Sequence, residues 1–140
     1  MASDGPFLVA AVTLMSATHL GYLARRVGRC RIALKIMPPV VTGPPEFERT
    51  FRAHQNCVEF YPIFLVVLWS CSTFFSEPVA AVGGLVYMVA RHMYFNGYVK
   101  STKKRLPGFI LTLAVLFILS LLASIGVLRG ILHKYFNIHL

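Results

Sequence analysis

The sequence predicts an all-α integral membrane protein, built as a bundle of four transmembrane helices. Two observations lead to this prediction. Of the 140 residues, 56% are hydrophobic and only 14% are charged, whereas charged residues make up roughly a quarter to a third of the surface of a soluble domain. The apolar residues also gather in four stretches, and a transmembrane helix needs about 20 mostly apolar residues. The same composition excludes a disordered chain, which needs low hydrophobicity.

The four apolar stretches divide a single membrane domain, residues 1–140, into spans and loops. The spans are predicted at about residues 7–24, 58–75, 79–98 and 108–128. The first and fourth contain no Asp, Glu, Lys or Arg, whereas the second holds Glu59 and the third holds Arg91. Only residues 76–78 separate the second span from the third, so these two helices should form a tight hairpin.

The longest connection, residues 25–57, joins the first two spans. Prolines at positions 38, 39, 44 and 45 exclude a helix in its middle. Glu46 and Glu48 follow these prolines, and the helix dipole favours acidic side chains in the first turn of a helix. The second helix is therefore predicted to begin near Glu46 and to run into the membrane.

The net charge of +9 is distributed unevenly along the chain. Eleven of the fourteen Lys and Arg residues lie in the first and third loops, residues 25–57 and 99–107. Because positive residues mark the cytosolic side of a membrane protein, both loops are predicted to be cytosolic and both termini to lie on the opposite side. Binding of nucleic acid is not expected, because it requires a soluble protein with an exposed basic face.

Polar side chains form two stripes, each on one face of a helix. The stripes are Arg52, Asn56 and Glu59 at positions i, i+4 and i+7, and Tyr87, Arg91, Tyr94 and Tyr98 at positions i, i+4, i+7 and i+11. Arg105 follows Tyr98 by seven residues and continues the second stripe. Guanidinium groups clamp carboxylates, and the Glu59 carboxylate could receive an ammonium group. The stripes therefore suit a zwitterionic, water-soluble molecule with several carboxylates, such as a small peptide, bound beside a lipid.

Other interpretations of these residues remain open at this point. Ionisable residues at membrane depth indicate function by default, but we expect Arg91 to form a structural ion pair with Glu59 across the hairpin. Tyr94 and Tyr98 could belong to the aromatic belt at the membrane interface. A small channel or transporter would explain a buried Arg91 and Glu59, but not polar residues gathered at one membrane edge. The spacing of the His residues indicates no metal site.

Several sequence segments resemble one known family. The stretch GPPEFERTFRAHQNC at residues 43–57, followed by VEFYP, resembles the signature of the membrane-associated proteins in eicosanoid and glutathione metabolism, the MAPEG family. The segments GLVY (84–87), YFNGY (94–98) and KKR (103–105) continue the resemblance in the right order, so that it covers about residues 8–125. Within the family, the chain is most similar to the broader glutathione transferases and next to the dedicated leukotriene C4 synthase.

The resemblance implies a fold and an activity. The expected fold is a four-helix subunit that assembles as a homotrimer in the endoplasmic-reticulum membrane or the nuclear envelope, with lumenal termini. The expected cosubstrate is glutathione, held between subunits near the cytosolic face, with no metal. The expected second substrate is a lipophilic electrophile that arrives from the bilayer. Examples are leukotriene A4, which would give leukotriene C4, and a lipid hydroperoxide, which would be reduced to the alcohol.

The resemblance also implies roles for individual residues. The positions expected to bind glutathione within one subunit are Arg52, Asn56, Glu59, Tyr94 and Tyr98. Arg31 and His54 match positions that reach glutathione from the adjacent subunit. Arg105 matches the catalytic arginine that stabilises the glutathione thiolate.

Three departures from the family pattern bear on function. His54 stands where Gln or Asn is usual, and its charge would depend on pH. Phe60 and Ile32 stand where the leukotriene synthase has a tyrosine and an arginine, which favours the broader transferase. The alternative is a non-enzymatic lipid-presenting protein resembling five-lipoxygenase-activating protein. Against it, the chain keeps Arg52, Tyr94, Tyr98 and Arg105 together.

Overall fold

The structure, a computed structural model, describes residues 5–140, and residues 1–4 of the predicted domain lie outside the described residues. The predicted all-α architecture with four helices is confirmed. The helices are α1 (Phe7–Leu34), α2 (Pro45–Phe74), α3 (Glu77–Lys100) and α4 (Leu106–Phe136), with a short 3₁₀ turn at Lys103–Arg105 before α4.

Helix α1 is longer than its predicted span, because it continues to Leu34 through residues that were assigned to the first loop. It ends where Lys35 adopts the left-handed conformation (φ 56°) and the Ile36 N–H donates to the Arg31 carbonyl at 2.9 Å. The prolines that follow prevent further helix. Helix α2 begins at Pro45, next to the predicted start at Glu46. The connection outside helices is therefore only residues 35–44.

The predicted hairpin between the second and third helices is present. Helix α2 ends at Phe74 and α3 begins at Glu77, so two residues separate them. The Ser76 hydroxyl accepts a hydrogen bond from the Val79 N–H at 3.4 Å and caps α3. The Glu77 carboxylate accepts from the Val9 N–H at 3.4 Å, which satisfies an orphan donor in the first turn of α1.

Three of the four helical segments are long and apolar enough to cross a membrane, namely α1, α2 and the segment Lys103–Phe136 that contains α4. Helix α3 is not among them, because Arg91, His92 and Asn96 lower its hydropathy. Its position among the other helices accommodates the buried Arg91 and the half-buried Asn96, whereas His92 is exposed. Helix α3 contacts the three other helices, and so does α2. Helices α1 and α4 lie on opposite sides and do not contact each other.

The buried residues form two clusters along the length of the bundle. The larger cluster defines what we call the apolar half: Val9, Val12, Phe64, Leu68, Cys71, Ala80, Ala81, Tyr87, Val115, Leu116, Leu119 and Ala123. The smaller cluster defines the basic half, which also carries the loop 35–44 and the turn Lys103–Arg105: Leu23, Val27, Ala53, Cys57, Tyr94 and Phe95. The outer surface is apolar, and Leu14, Val66 and Phe117 are each more than 65% exposed. Such a surface suits lipid or neighbouring subunits.

Candidate functional site

The candidate site is a row of polar and aromatic side chains in the basic half. It runs from Asn56 on α2 through Arg91, Tyr94 and Tyr98 on α3 to Arg105 at the start of α4. The Asn56 Oδ1 atom lies 2.7 Å from Arg91 Nη1, and the Arg91 guanidinium carbon lies 4.4 Å from the centre of the Tyr94 ring. Tyr98 contacts Tyr94, and Arg105 contacts Tyr98. Five of the polar residues singled out in the sequence are therefore in one continuous chain of contacts.

Arg91 occupies the middle of this row and is 2% exposed. Its Nε and Nη2 atoms donate to the Thr112 hydroxyl on α4 at 3.0 and 2.9 Å. Its Nη1 atom donates to Asn56 and approaches the Cys57 sulfur at 3.8 Å. The guanidinium therefore connects α3 with both α2 and α4, and nearly all its donors have acceptors.

The predicted ion pair between Glu59 and Arg91 is not formed. The hydrogen-bond partners of Arg91 are Thr112, Asn56 and Cys57, and the Glu59 side chain is exposed on the surface of α2. The reason is that neutral acceptors on two helices already satisfy the guanidinium donors, so that a buried carboxylate, with its cost of desolvation, is not needed. Glu59 remains available to a ligand.

The Tyr98 ring lies between Tyr94 and Arg105. The Tyr94 and Tyr98 rings meet edge to face with their centres 5.7 Å apart, which is a favourable aromatic arrangement. The Arg105 guanidinium carbon lies 5.4 Å from the centre of the Tyr98 ring, within the range of a cation–π contact. Arg105 Nη1 also donates to the Thr102 carbonyl. These two contacts hold the guanidinium at the end of the row.

Two glycines allow α3 and α4 to approach closely at this row. A Cβ on Gly97 would overlap the backbone carbonyl of Lys104, and one on Gly108 would overlap the backbone of Tyr94. The turn Lys103–Arg105 can therefore pack directly against the end of α3, which places Arg105 over Tyr98. Neither Gly108 nor Thr112 was identified from the sequence. The one available signal for Thr112 is a lone hydroxyl near the start of a very apolar span.

The remaining predicted residues divide between two faces of α2. Arg52, Asn56 and Glu59 share one face, while His54 belongs to the face that carries Phe47 and Phe51. At 100° per residue the two faces are about 140° apart. Arg52 is exposed and His54 is half-buried.

Arg31, on α1, lies on the Phe47–Phe51 side of α2. Its guanidinium carbon is 5.0 Å from the Phe47 ring centre and 5.7 Å from that of Phe51, and its Nη1 donates to the Val40 carbonyl at 2.6 Å. Within one chain, Arg31 therefore fastens the loop 35–44 to the start of α2. The structure does not bring Arg31 or His54 to the row formed by Asn56, Arg91, Tyr94, Tyr98 and Arg105.

The site offers donors for an anionic organic molecule rather than ligands for a metal ion. Within residues 5–140, no group of three His, Cys, Asp or Glu side chains converges. The cysteines are free, with Cys57 and Cys71 buried. The donors available are guanidinium, amide and phenol groups, which bind carboxylates.

Comparison with known proteins identifies the family. The MAPEG family profile matches residues 9–125. Microsomal glutathione S-transferase 2 from Mus musculus is 50% identical over 139 residues, which cover 99% of this chain and 94% of that protein. The Homo sapiens protein of that name is 47% identical over 133 residues, with 95% and 90% coverage. Leukotriene C4 synthase from Bos taurus is 43% identical over 129 residues, with 92% and 86% coverage. The resemblance inferred from the sequence motifs is confirmed, and the chain belongs to the MAPEG family.

Proposed function

We propose that the protein is a membrane-bound glutathione transferase. It activates glutathione as a thiolate and joins it to lipophilic electrophiles, including leukotriene A4, which becomes leukotriene C4. It also reduces lipid hydroperoxides with glutathione as the reductant. The names of its relatives support the transferase activity. The observation that carries the proposal is the position of Arg105, which two contacts hold at the end of a row of glutathione-binding candidates.

The role of Arg105 is electrostatic. The thiolate is the nucleophile, and a free thiol has a pKa of about 8.5, so that it is mostly protonated at neutral pH. A guanidinium cannot act as a base, because it does not lose its proton. It stabilises the sulfur anion instead, and a fall of about one unit in the pKa raises the thiolate fraction several-fold. The N–H groups of Arg105 that do not bind Thr102 are free to donate to the sulfur.

The chemistry follows from the thiolate. With an epoxide, the sulfur forms a bond to carbon, the carbon–oxygen bond breaks, and the oxygen takes up a proton. With a hydroperoxide, the sulfur attacks the outer oxygen and releases the alcohol. This leaves glutathione as a sulfenic acid, and the thiol of a second glutathione attacks its sulfur and displaces water, which gives glutathione disulfide. Both electrophiles partition into lipid, which fits the apolar outer surface beside the site.

The remaining polar side chains would bind the rest of glutathione. Its two carboxylates suit Arg52 and the Asn56 amide, and its ammonium group suits the exposed Glu59 carboxylate. The phenols of Tyr94 and Tyr98 would contact the cysteinyl part near Arg105. Each of these side chains occurs on the face of α2 or α3 that leads to Arg105.

The separation of Arg31 and His54 from the row supports a homotrimer. His54 lies about 160° around α2 from Arg52 and Asn56, and Arg31 packs against Phe47 and Phe51, so both sets reach one ligand when different subunits provide them. In this proposal each glutathione lies between two subunits. Arg52, Asn56, Glu59, Tyr94, Tyr98 and Arg105 come from one subunit, and Arg31 and His54 come from its neighbour.

The same proposal places the protein in the endoplasmic-reticulum membrane, which is continuous with the nuclear envelope. In this proposal α3 crosses the membrane in addition to the three helices that are apolar enough to do so, and α2 and α4 shield Arg91 from lipid. The loop 35–44 and the turn Lys103–Arg105 face the cytosol, because the basic residues gather there. Both termini face the lumen. Soluble glutathione would then enter from the cytosol while the electrophile enters from the bilayer.

The test is thioether formation by the purified protein in detergent, with glutathione and 1-chloro-2,4-dinitrobenzene. The wild-type protein should form the thioether well above the uncatalysed rate. Arg105→Ala should bind glutathione with little change but turn over at least several-fold more slowly, since a thiol pKa about one unit higher lowers the thiolate fraction several-fold at neutral pH. Lys103→Ala is the matched control, because it removes an exposed positive charge from the same turn, and it should keep the wild-type rate.

Two outcomes would contradict the proposal. An unchanged rate for Arg105→Ala would remove the catalytic role of that residue. The absence of any thioether formation, together with retained binding of a lipid probe, would favour a non-enzymatic lipid-presenting protein.

A further inference from the structure

A feature of the site that the proposed chemistry does not use is the buried guanidinium of Arg91. A charged group removed from water is costly unless hydrogen bonds satisfy it. Here three neutral acceptors and three aromatic rings surround it: the Thr112 hydroxyl, Asn56 Oδ1 and the Cys57 sulfur, with the rings of Tyr94 at 4.4 Å, Phe60 at 5.0 Å and Tyr87 at 6.0 Å. The guanidinium is therefore held in one place by α2, α3 and α4 together.

The anchor on α4 fixes the direction of this guanidinium. The Thr112 hydroxyl receives bonds from both Nε and Nη2 of Arg91, and it donates its own hydrogen to the Gly108 carbonyl at 2.8 Å. The hydroxyl therefore cannot rotate without losing a partner. With Nε and Nη2 bound to one oxygen, Nη1 is directed to Asn56.

The contact with Arg91 determines which atom of the Asn56 amide faces a ligand. A guanidinium only donates hydrogen bonds, so the Asn56 oxygen must face Arg91, and the distance of 2.7 Å is that of a charge-assisted hydrogen bond. The Asn56 NH2 group then lies on the opposite side of the amide. The group that this orientation presents to a ligand is therefore the NH2 donor, which binds an acceptor such as a carboxylate or carbonyl oxygen.

We propose that Arg91 is a positioning residue that orients the Asn56 amide as a hydrogen-bond donor to a carboxylate or peptide carbonyl of glutathione. This inference rests on the proposed function. It assigns the ammonium and amide N–H groups of glutathione to other partners, such as Glu59. Arg91 itself does not touch the ligand and acts through Asn56.

The first variant that tests this orientation is Asn56→Asp. A carboxylate at position 56 still accepts from Arg91, so the fold is kept, but it cannot donate to an acceptor and it repels a carboxylate. Isothermal titration calorimetry of the full-length protein in detergent should therefore show glutathione binding weakened tenfold or more, with no fall in the thermal midpoint. Binding at the wild-type affinity would overturn the inference.

The second test is a double-mutant cycle between Thr112 and Asn56, which reports coupling between residues. Thr112→Val removes the anchor of Arg91 without touching the ligand, and it should weaken glutathione binding several-fold. In the Asn56→Ala background the same change should have no further effect, because the amide that Arg91 orients is gone. Additive effects would show that Thr112 and Arg91 act by another route, which would overturn the inference.

A matched control separates orientation from general stability. Thr13 on α1 also accepts a bond from another helix, from Trp69 Nε1 at 3.0 Å, and also donates to the carbonyl four residues earlier. Thr13→Val should lower the thermal midpoint without changing the affinity for glutathione. An equal loss of affinity in Thr13→Val and Thr112→Val would mean that lower stability alone explains the weaker binding of glutathione. That result would overturn the inference.

The same measurements distinguish a failure of the proposed function from a failure of this inference. A wild-type protein that binds no glutathione would overturn that function and this inference together, whereas wild-type binding with additive effects overturns only the inference. Asn56→Asp changes neither Arg91 nor Thr112, so it tests the orientation even if Thr112→Val does not yield folded protein.

Discussion

The apolar half and the basic half of the bundle are packed by the same helices but by different means. In the apolar half, rings and aliphatic side chains fill the interior, as where Phe64 and Tyr87 stack with ring centres 3.9 Å apart. In the basic half, a charged group lies in the middle of the interior and hydrogen bonds connect the helices. Under the proposed function, the basic half is the part that also presents polar groups to a ligand.

The largest expected loss of stability follows from removing the buried guanidinium. Arg91→Met keeps much of the side-chain volume but leaves the fully buried Thr112 hydroxyl oxygen without its two donors. An unsatisfied buried polar group costs about 1–3 kcal/mol. The thermal midpoint in detergent should fall accordingly.

Arg26→Met is the control for this variant. Arg26 also donates to an asparagine on α3, Asn96, but both side chains are only half-buried, so water can replace the bond. Its loss should be clearly smaller than that of Arg91→Met. Equal losses would contradict the view that the basic half depends on a buried polar network.

The next effect, of similar size, distinguishes the helix contacts of the two halves. Gly108→Ala places a methyl group against the backbone of Tyr94, whereas Gly83→Ala meets only the side chain of Leu119. A side chain can rotate away and a backbone cannot, so Gly108→Ala should cost about 1–3 kcal/mol, typical of overpacking. Gly83→Ala should cost less in the same thermal unfolding measurement. The reverse order would show that the α3–α4 approach is looser in the basic half than the structure indicates.

The smallest effect is expected for Tyr87→Phe in the apolar half. The Tyr87 hydroxyl is buried and has no hydrogen-bond partner within residues 5–140. Its removal should leave the stability unchanged or raise it by up to about 1 kcal/mol. A clear loss of stability would mean that a buried water binds this hydroxyl. The apolar half would then also depend on a buried hydrogen bond, as the basic half does at Arg91.

The fold could be predicted from the sequence where local chemistry decides it. The hairpin follows from the short connection predicted at residues 76–78, and the start of α2 follows from the prolines and the acids after them. The length of α1 could not be predicted from hydropathy, because that signal marks the hydrocarbon layer and not the end of the helix. The central position of α3 depends on contacts with all three other helices, which no local pattern contains.

The sequence predicted which helix faces carry the residues of the candidate site, but not which side chains contact each other. Helical spacing placed Asn56, Arg91, Tyr94 and Tyr98 on the correct faces. The partner of Arg91 was predicted wrongly as Glu59, since spacing cannot tell an exposed carboxylate from a neutral acceptor. Thr112 lies 21 residues away on another helix, so its bond to Arg91 depends on tertiary packing alone.

The central claim is that Arg105 stabilises the glutathione thiolate, and the pKa of bound glutathione tests it most directly. The thiolate absorbs in the ultraviolet, so a titration of the complex in detergent follows its formation with pH. A lowered pKa means that the thiolate persists at neutral pH and is lost as the pH falls through the lowered value.

The wild-type complex and the Lys103→Ala control should give a thiol pKa at least about one unit below the free value of about 8.5. In Arg105→Ala the pKa should return towards that value. Equal pKa values in the wild-type and Arg105→Ala complexes would contradict the account.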